Sequence, residues 1–171
     1  SLFIRARAEM NKNDVSPTWS FSVRNNTTAG TNDALYALDG APASSGSANS
    51  TRDLNAPTGF GTNSYTGERA AAPFAILDTV FRAKELILTA TPSADFPELR
   101  LFWSEDNRPT AGRFCPDDGD IGTSSYVVFA ASDVDDCMRA NVDGIYILGD
   151  FTIGDTDEFD ESVIAHEFGH Y

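Results

Sequence analysis

The chain has 171 residues, 41% of them hydrophobic and 22% charged, and a formal net charge of −14. That is ordinary globular composition, with room for one sizeable core and no apolar run of the ~20 residues that cross a bilayer, which argues against membrane insertion. Residues 1–113 carry twelve acids against eleven Lys or Arg, whereas residues 114–171 carry fourteen acids against Arg139 alone; such a field repels nucleic acid and anionic membranes.

Residues 2–10 (LFIRARAEM) and 18–24 (TWSFSVR) alternate apolar and polar side chains, as half-buried strands do. Asn11 to Asp14 and Ser16-Pro17 lie between them as turn material. Two strands make a poor core, so residues 1–40 are expected to be the end of a β-sandwich or a β-hairpin docked on the main domain. Ser1 reads as an internal or processed start. Residues 41–66 are rich in Gly, Ala, Ser, Thr, Asn and Pro and are expected to form a linker or a long loop.

Residues 68–90 carry the strongest helical pattern. Ala70, Phe74, Leu77, Phe81 and Leu88 fall at helical spacing, and Ile76, Val80, Ala83 and Ile87 widen the stripe. Pro73 suits the first turn and Pro92 follows the end. Residues 99–104, 121–129 and 145–149 read as strands, the last nearly all apolar and suited to a buried position. Residues 150–158 form an acidic loop. A last helix is expected to start near Asp157 to Asp160, with acids at its positive end.

Only Cys115 and Cys137 are present. An even count at wide spacing fits one disulfide in an oxidising compartment, with two buried thiols as the alternative. Closing the loop would stabilise by roughly 3 kcal/mol in the chain-entropy model. With sparse Lys and abundant Ser, Thr and Asn, the pair favours a secreted or periplasmic protein. The acid-rich half should attract divalent cations and basic peptide segments, or simply solubilise the fold.

The chemistry concentrates in residues 166–171, His-Glu-Phe-Gly-His-Tyr, which hold the only two histidines. On a helix, residues four apart share a face, so His166 and His170 can aim their imidazoles at one zinc ion. Glu167 sits about 100° further round, outside the ligand row but within reach of a water beside the metal. His-Glu-x-x-His in this setting is the pattern of a zinc peptidase helix, with Glu167 as general base. Ile164, Phe168 and Tyr171, with Val163 beside them, are spaced to pack the other face.

A long helix, three strands and then a helix carrying HEFGH resemble the N-terminal subdomain of the zincin metallopeptidases, over about residues 65–171. The segments AAAPFAILDTVF, FPELRLFWS, DIGTSSY and IYILGD, ahead of ESVIAHEFGHY, look like bacterial secreted zincin-like proteins in which a carboxypeptidase-regulatory-like β-sandwich precedes the catalytic domain. The resemblance implies an α+β fold: a mixed twisted sheet, a packed helix and the motif helix, preceded by a β-rich segment. It makes His166 and His170 zinc ligands and Glu167 the catalytic base. It makes residues 121–129 the edge strand that holds a peptide or protein substrate, through Gly122, Thr123, Ser124, Ser125 and Tyr126. A Cys115–Cys137 bridge would pin that shelf or staple a surface insertion.

Zincins supply a third ligand from further along the chain. Here the motif ends the sequence, and no third histidine exists. The acidic loop offers Asp155 and Asp157, without a topological reason to expect either as a ligand. Residues 67–171 therefore read as a catalytic subdomain truncated after the motif, lacking its C-terminal partner and with little activity of its own. The rival reading is a non-catalytic acidic binding module or pseudo-peptidase, calcium-assisted through the Asp-rich stretches at 117–120, 133–136 and 155–161. No EF-hand loop is among these.

Overall fold

The computed structural model describes residues 1–28, 33–47, 49, 51–130 and 142–171. Its strands are β1 (Arg5–Arg7), β2 (Glu9–Lys12), β3 (Trp19–Asn25), β4 (Ala34–Leu35), β5 (Ala37–Asp39), β6 (Glu98–Trp103), β7 (Ser125–Val127) and β8 (Gly144–Ile147), and its helices are α1 (Ala72–Ala90) and α2 (Glu161–Phe168). The architecture is α+β, built on a twisted mixed sheet in the order β2-β3-β6-β8-β7, with β4 also paired to β3. β3, β6 and β8 run parallel, while β2, β4 and β7 are antiparallel to their neighbours. Parallel pairing of β3 with β6 needs a long crossover, and α1 lies within it. β1 and β5 form a separate two-stranded ribbon.

Side-chain alternation divides the core between the two faces of the sheet. Phe21 and Val23 of β3, Leu99, Leu101 and Trp103 of β6, and Ile145 and Ile147 of β8 pack with Ile76, Leu77 and Val80 of α1 and with Ile164 and Phe168 of α2. Phe102, Tyr146, Leu148 and Ile121 build a second cluster. Phe102 and Tyr146 sit between core-facing residues of β6 and β8, so they belong to the opposite face. Both central strands are thus covered on both sides, which is why β8 reads as an unbroken apolar run.

Residues 1–40 contribute to the main sheet, where β2 and β3 form an antiparallel hairpin. Phe21 and Val23 pair in register with Leu99 and Leu101 of β6 and are fully buried. The described residues of 41–66 form no helix, only bridges such as Leu2 to Ala43 and Phe60 to Tyr65. The strand expected over 121–129 is only Ser125–Val127. Gly122 adopts φ 75°, a left-handed turn conformation that interrupts an extended run.

α1 starts at Ala72, four residues later than the pattern over 68–90 suggests, with Pro73 in its first turn as expected. Its buried stripe is narrower than the apolar pattern. Ile76, Leu77 and Val80 are buried, but Phe81 is 40% exposed and Leu86 74%. Lys84 is fully buried in their place. Its ammonium lies 3.7 Å from the Trp19 ring centroid and 4.3 Å from that of Phe81, and it pairs with Glu85; the two ring faces and one carboxylate offset its desolvation. Among the described residues no helix is long and apolar enough to cross a membrane.

Candidate active site

α2 is aimed by its two ends. Asp160 caps it, accepting hydrogen bonds from Ser162 N (2.9 Å) and Val163 N (3.2 Å). The Ser162 hydroxyl, which also donates to Asp160, and these two backbone bonds hold its carboxyl below the ordinary range. The helix therefore begins one residue after the cap, at Glu161. At the far end, the Tyr171 hydroxyl donates to Pro97 O (2.6 Å). Between them, Ile164 and Phe168 are buried. Phe168 meets Phe21 edge-on and stacks on Phe96. With that side fixed in the core, His166 and His170 are turned to the surface.

The regular helix ends at Phe168, so His170 lies just beyond it. Gly169 N reaches His166 O (3.0 Å) and His170 N reaches Glu167 O (3.1 Å), a tightening typical of a last turn. The two imidazoles still converge. Their planes cross at 86°, and His166 Nε2 and His170 Nε2 are 3.1 Å apart. Two nitrogens bound to one tetrahedral zinc at about 2.0–2.1 Å stand about 3.3 Å apart. The pair therefore fits two corners of a zinc site. Among the described residues no group of three or more His, Cys, Asp or Glu is placed to hold a metal ion, so no third protein donor joins them there.

Glu167 turns away from the histidine row, toward the sheet. Its Oε2 accepts a hydrogen bond from the backbone N–H of Tyr126 (2.8 Å). Tyr126 is the middle residue of β7, which among the described residues lies at the edge of the sheet. Motif helix and edge strand are thus joined through the glutamate.

A cavity of about 440 Å³ opens beside this junction, and His166, Glu167, Thr123, Ser124, Asp155 and Asp157 are among its walls. The Ser124 hydroxyl donates to Asp157 Oδ2 (2.5 Å) and accepts from Leu148 N (2.9 Å). Asp157 N also reaches Leu148 O (3.2 Å). The acidic loop is in this way fastened to the end of β8. Of the residues expected on the substrate shelf, Thr123 and Ser124 line the cavity, Tyr126 touches Glu167, and Ser125 lies on β7. Gly122 shapes the preceding turn and is not a cavity wall.

Nothing in the residue pattern marks Arg69 as part of the site's frame. Its side chain is 1% exposed and its guanidinium donates to Glu158 Oε1 (2.5 Å) and to Gly149 O (2.5 Å). The rings of Tyr65, Trp103 and Phe151 surround it. One side chain thus ties the approach to α1, the exit of β8 and the approach to α2. Gly149 has no room for a side chain, because a Cβ there would lie 2.1 Å from Ser104 O. A larger cavity of about 680 Å³ adjoins Arg69 and contains no motif residue.

The other Asp-rich stretches serve differently. Asp118 and Asp120 pair with Arg113, and Asp120 also with Arg108 (2.7 Å). Cys115 is buried, with its thiol 3.4 Å from Asp118 Oδ2. Cys137 and the 133–136 acids lie outside the described residues, and with them the expected disulfide. No family model, curated protein or solved structure matches the chain.

Proposed function

We propose that the chain carries the metal-gripping and proton-transferring part of a zinc-dependent metallopeptidase of zincin type. The observation that carries this reading is the convergence of His166 and His170 at 3.1 Å with Glu167 beside them on the sheet edge. His166 and His170 would hold zinc through Nε2. When bound, zinc supplies Lewis acidity toward a carbonyl oxygen.

The remaining roles fall to the chain itself. β7, at the edge of the sheet among the described residues, offers an extended peptide main-chain groups to pair with. Glu167, next to that edge, takes a proton from the attacking water as the new C–O bond forms. It then delivers the proton to the amide nitrogen as the C–N bond breaks. Water is consumed, and a carboxylic acid and an amine are released.

The test is hydrolysis of casein and of internally quenched peptides by the protein with added zinc, compared with the Glu167→Gln variant. A general base contributes about 10²–10⁴-fold, so the variant should lose at least 100-fold of whatever rate the wild type shows. Equal rates would remove Glu167 from the chemistry, and zinc binding left unchanged by His166→Ala and His170→Ala would count against the reading.

A further inference from the structure

β7 is three residues long, yet its middle amide holds the proposed base. Its pairs with β8 are Ser125 to Tyr146, Tyr126 to Ile145 and Val127 to Gly144. The Tyr126 N–H donates to Glu167 Oε2 (2.8 Å). A slip of one residue would carry that amide about 3.4 Å along the strand and turn it to the opposite side. The contact with Glu167 therefore exists in one register only.

Three pairs are few to fix a register, and side chains take over at both ends of the strand. Continuing the pairing would set Leu148 opposite Thr123 and Phe129 opposite Val142. Instead the Leu148 N–H donates to the Ser124 hydroxyl (2.9 Å), and the Phe129 N–H donates to Asp143 Oδ1 (2.8 Å). The Ser124 hydroxyl donates in turn to Asp157 Oδ2 (2.5 Å), which anchors that end to the approach to α2. At the other end the Val142 carbonyl accepts from the Tyr146 hydroxyl (3.0 Å). We infer that Ser124 and Asp143 are positioning residues for Glu167: one at each end of β7, they lock the register that sets the Tyr126 amide against the carboxylate. What Glu167 does there rests on the metallopeptidase reading; where it is held does not.

Hydrogen exchange at the Tyr126 amide, followed by NMR in the ¹⁵N-labelled, metal-free protein, tests the lock without hydrolysis. Asp143→Ala changes an exposed side chain and Ser124→Ala a buried one, so if the second folds poorly the first still decides. Each should speed exchange at Tyr126 about 10-fold, as expected when one hydrogen bond to a charged group is lost. The amides of Leu101 and Phe102 in β6 should keep their wild-type rates. Asp143→Asn keeps an acceptor oxygen and should recover most of the protection. The decisive comparison is made in a Glu167→Ala background, where the bond that the lock maintains is already gone. There the same alanine changes should speed Tyr126 exchange by less than about twofold. A strand merely loosened would speed up by the same factor with Glu167 or without it. Unchanged exchange at Tyr126, equal factors in both backgrounds, or asparagine no better than alanine at position 143 would each overturn the inference. Zinc binding unaffected by His166→Ala and His170→Ala would sink the metallopeptidase reading and leave the lock standing.

Discussion

Replacing Arg69 by methionine tests how the proposed active site is held in place. The change keeps much of the side chain's volume and removes its charge. Glu158, 0% exposed, would then be buried with no counter-ion among the described residues. Breaking a buried pair from one side costs about 3–5 kcal/mol, a large part of a total stability of about 5–15 kcal/mol. For a chain of this size that is a fall in Tm of about 6–20 °C. Removing both charges, as Arg69→Met with Glu158→Met, should recover part of the loss, because no orphan carboxylate remains.

Acidity gives a second handle on the same pair. Burial raises the Glu158 carboxyl even against Arg69, and without the guanidinium it would rise further. A carboxyl whose folded pKa is raised loses stability as pH climbs through that value, and the penalty vanishes below the unfolded pKa. The single variant's deficit should therefore be largest near neutrality and shrink toward about pH 4. Urea unfolding followed by circular dichroism, at several pH values, measures all of this. A neutral-pH loss below about 1 kcal/mol, or a double variant no more stable than the single one, would refute the clamp.

Two further outcomes are expected. Isothermal titration should show one zinc per chain. Structural zinc sites with four donors reach about 10–16 kcal/mol, so two imidazoles should give about half, or a Kd between roughly 1 and 200 µM. His166→Ala or His170→Ala should weaken binding at least tenfold, and nanomolar affinity in the wild type would require another donor. Asp157→Asn should stabilise the protein at neutral pH, because burial raises the wild-type carboxyl. The wild type loses stability as pH rises through that raised value and the amide does not, so the two unfolding curves should converge toward about pH 4; a pH-independent difference would count against it.

Much of this arrangement is written in local pattern. The apolar spacing of 72–90, the short alternating strand at 98–103 and the all-apolar run at 144–147 each follow from which face is buried. His166, Glu167 and His170 identify themselves by residue type and spacing. What local pattern omits is partnership across distance. The parallel alignment of β3 with β6 depends on Phe21 meeting Leu99 and Val23 meeting Leu101, and two alternating strands cannot specify that neighbour. Arg69 falls at the start of the helical pattern over 68–90, where nothing marks it for burial, 89 residues from Glu158. Asp157 and Glu158 read together as helix-start acids, yet one faces Ser124 and the other an arginine. Two acids one position apart serve separate ends because the chain turns between them.

The bond between Tyr126 N–H and Glu167 sharpens the mechanistic reading. An edge strand leaves some main-chain groups unpaired, and in β7 the Tyr126 amide is already taken by Glu167, the proposed base. An extended peptide pairing with β7 must either displace Glu167 from that amide or pair through its neighbours. In the first case docking releases the carboxylate toward the incoming water. In the second the amide continues to hold it at a fixed distance from the peptide. Both routes couple the base to the docking edge through one hydrogen bond, so the reach of Glu167 is set by β7 as much as by α2. A β7 shortened by the turn at Gly122 suits this role: it needs to carry a single amide in the right place, and Ser124, just outside it, is left to grip the acidic loop.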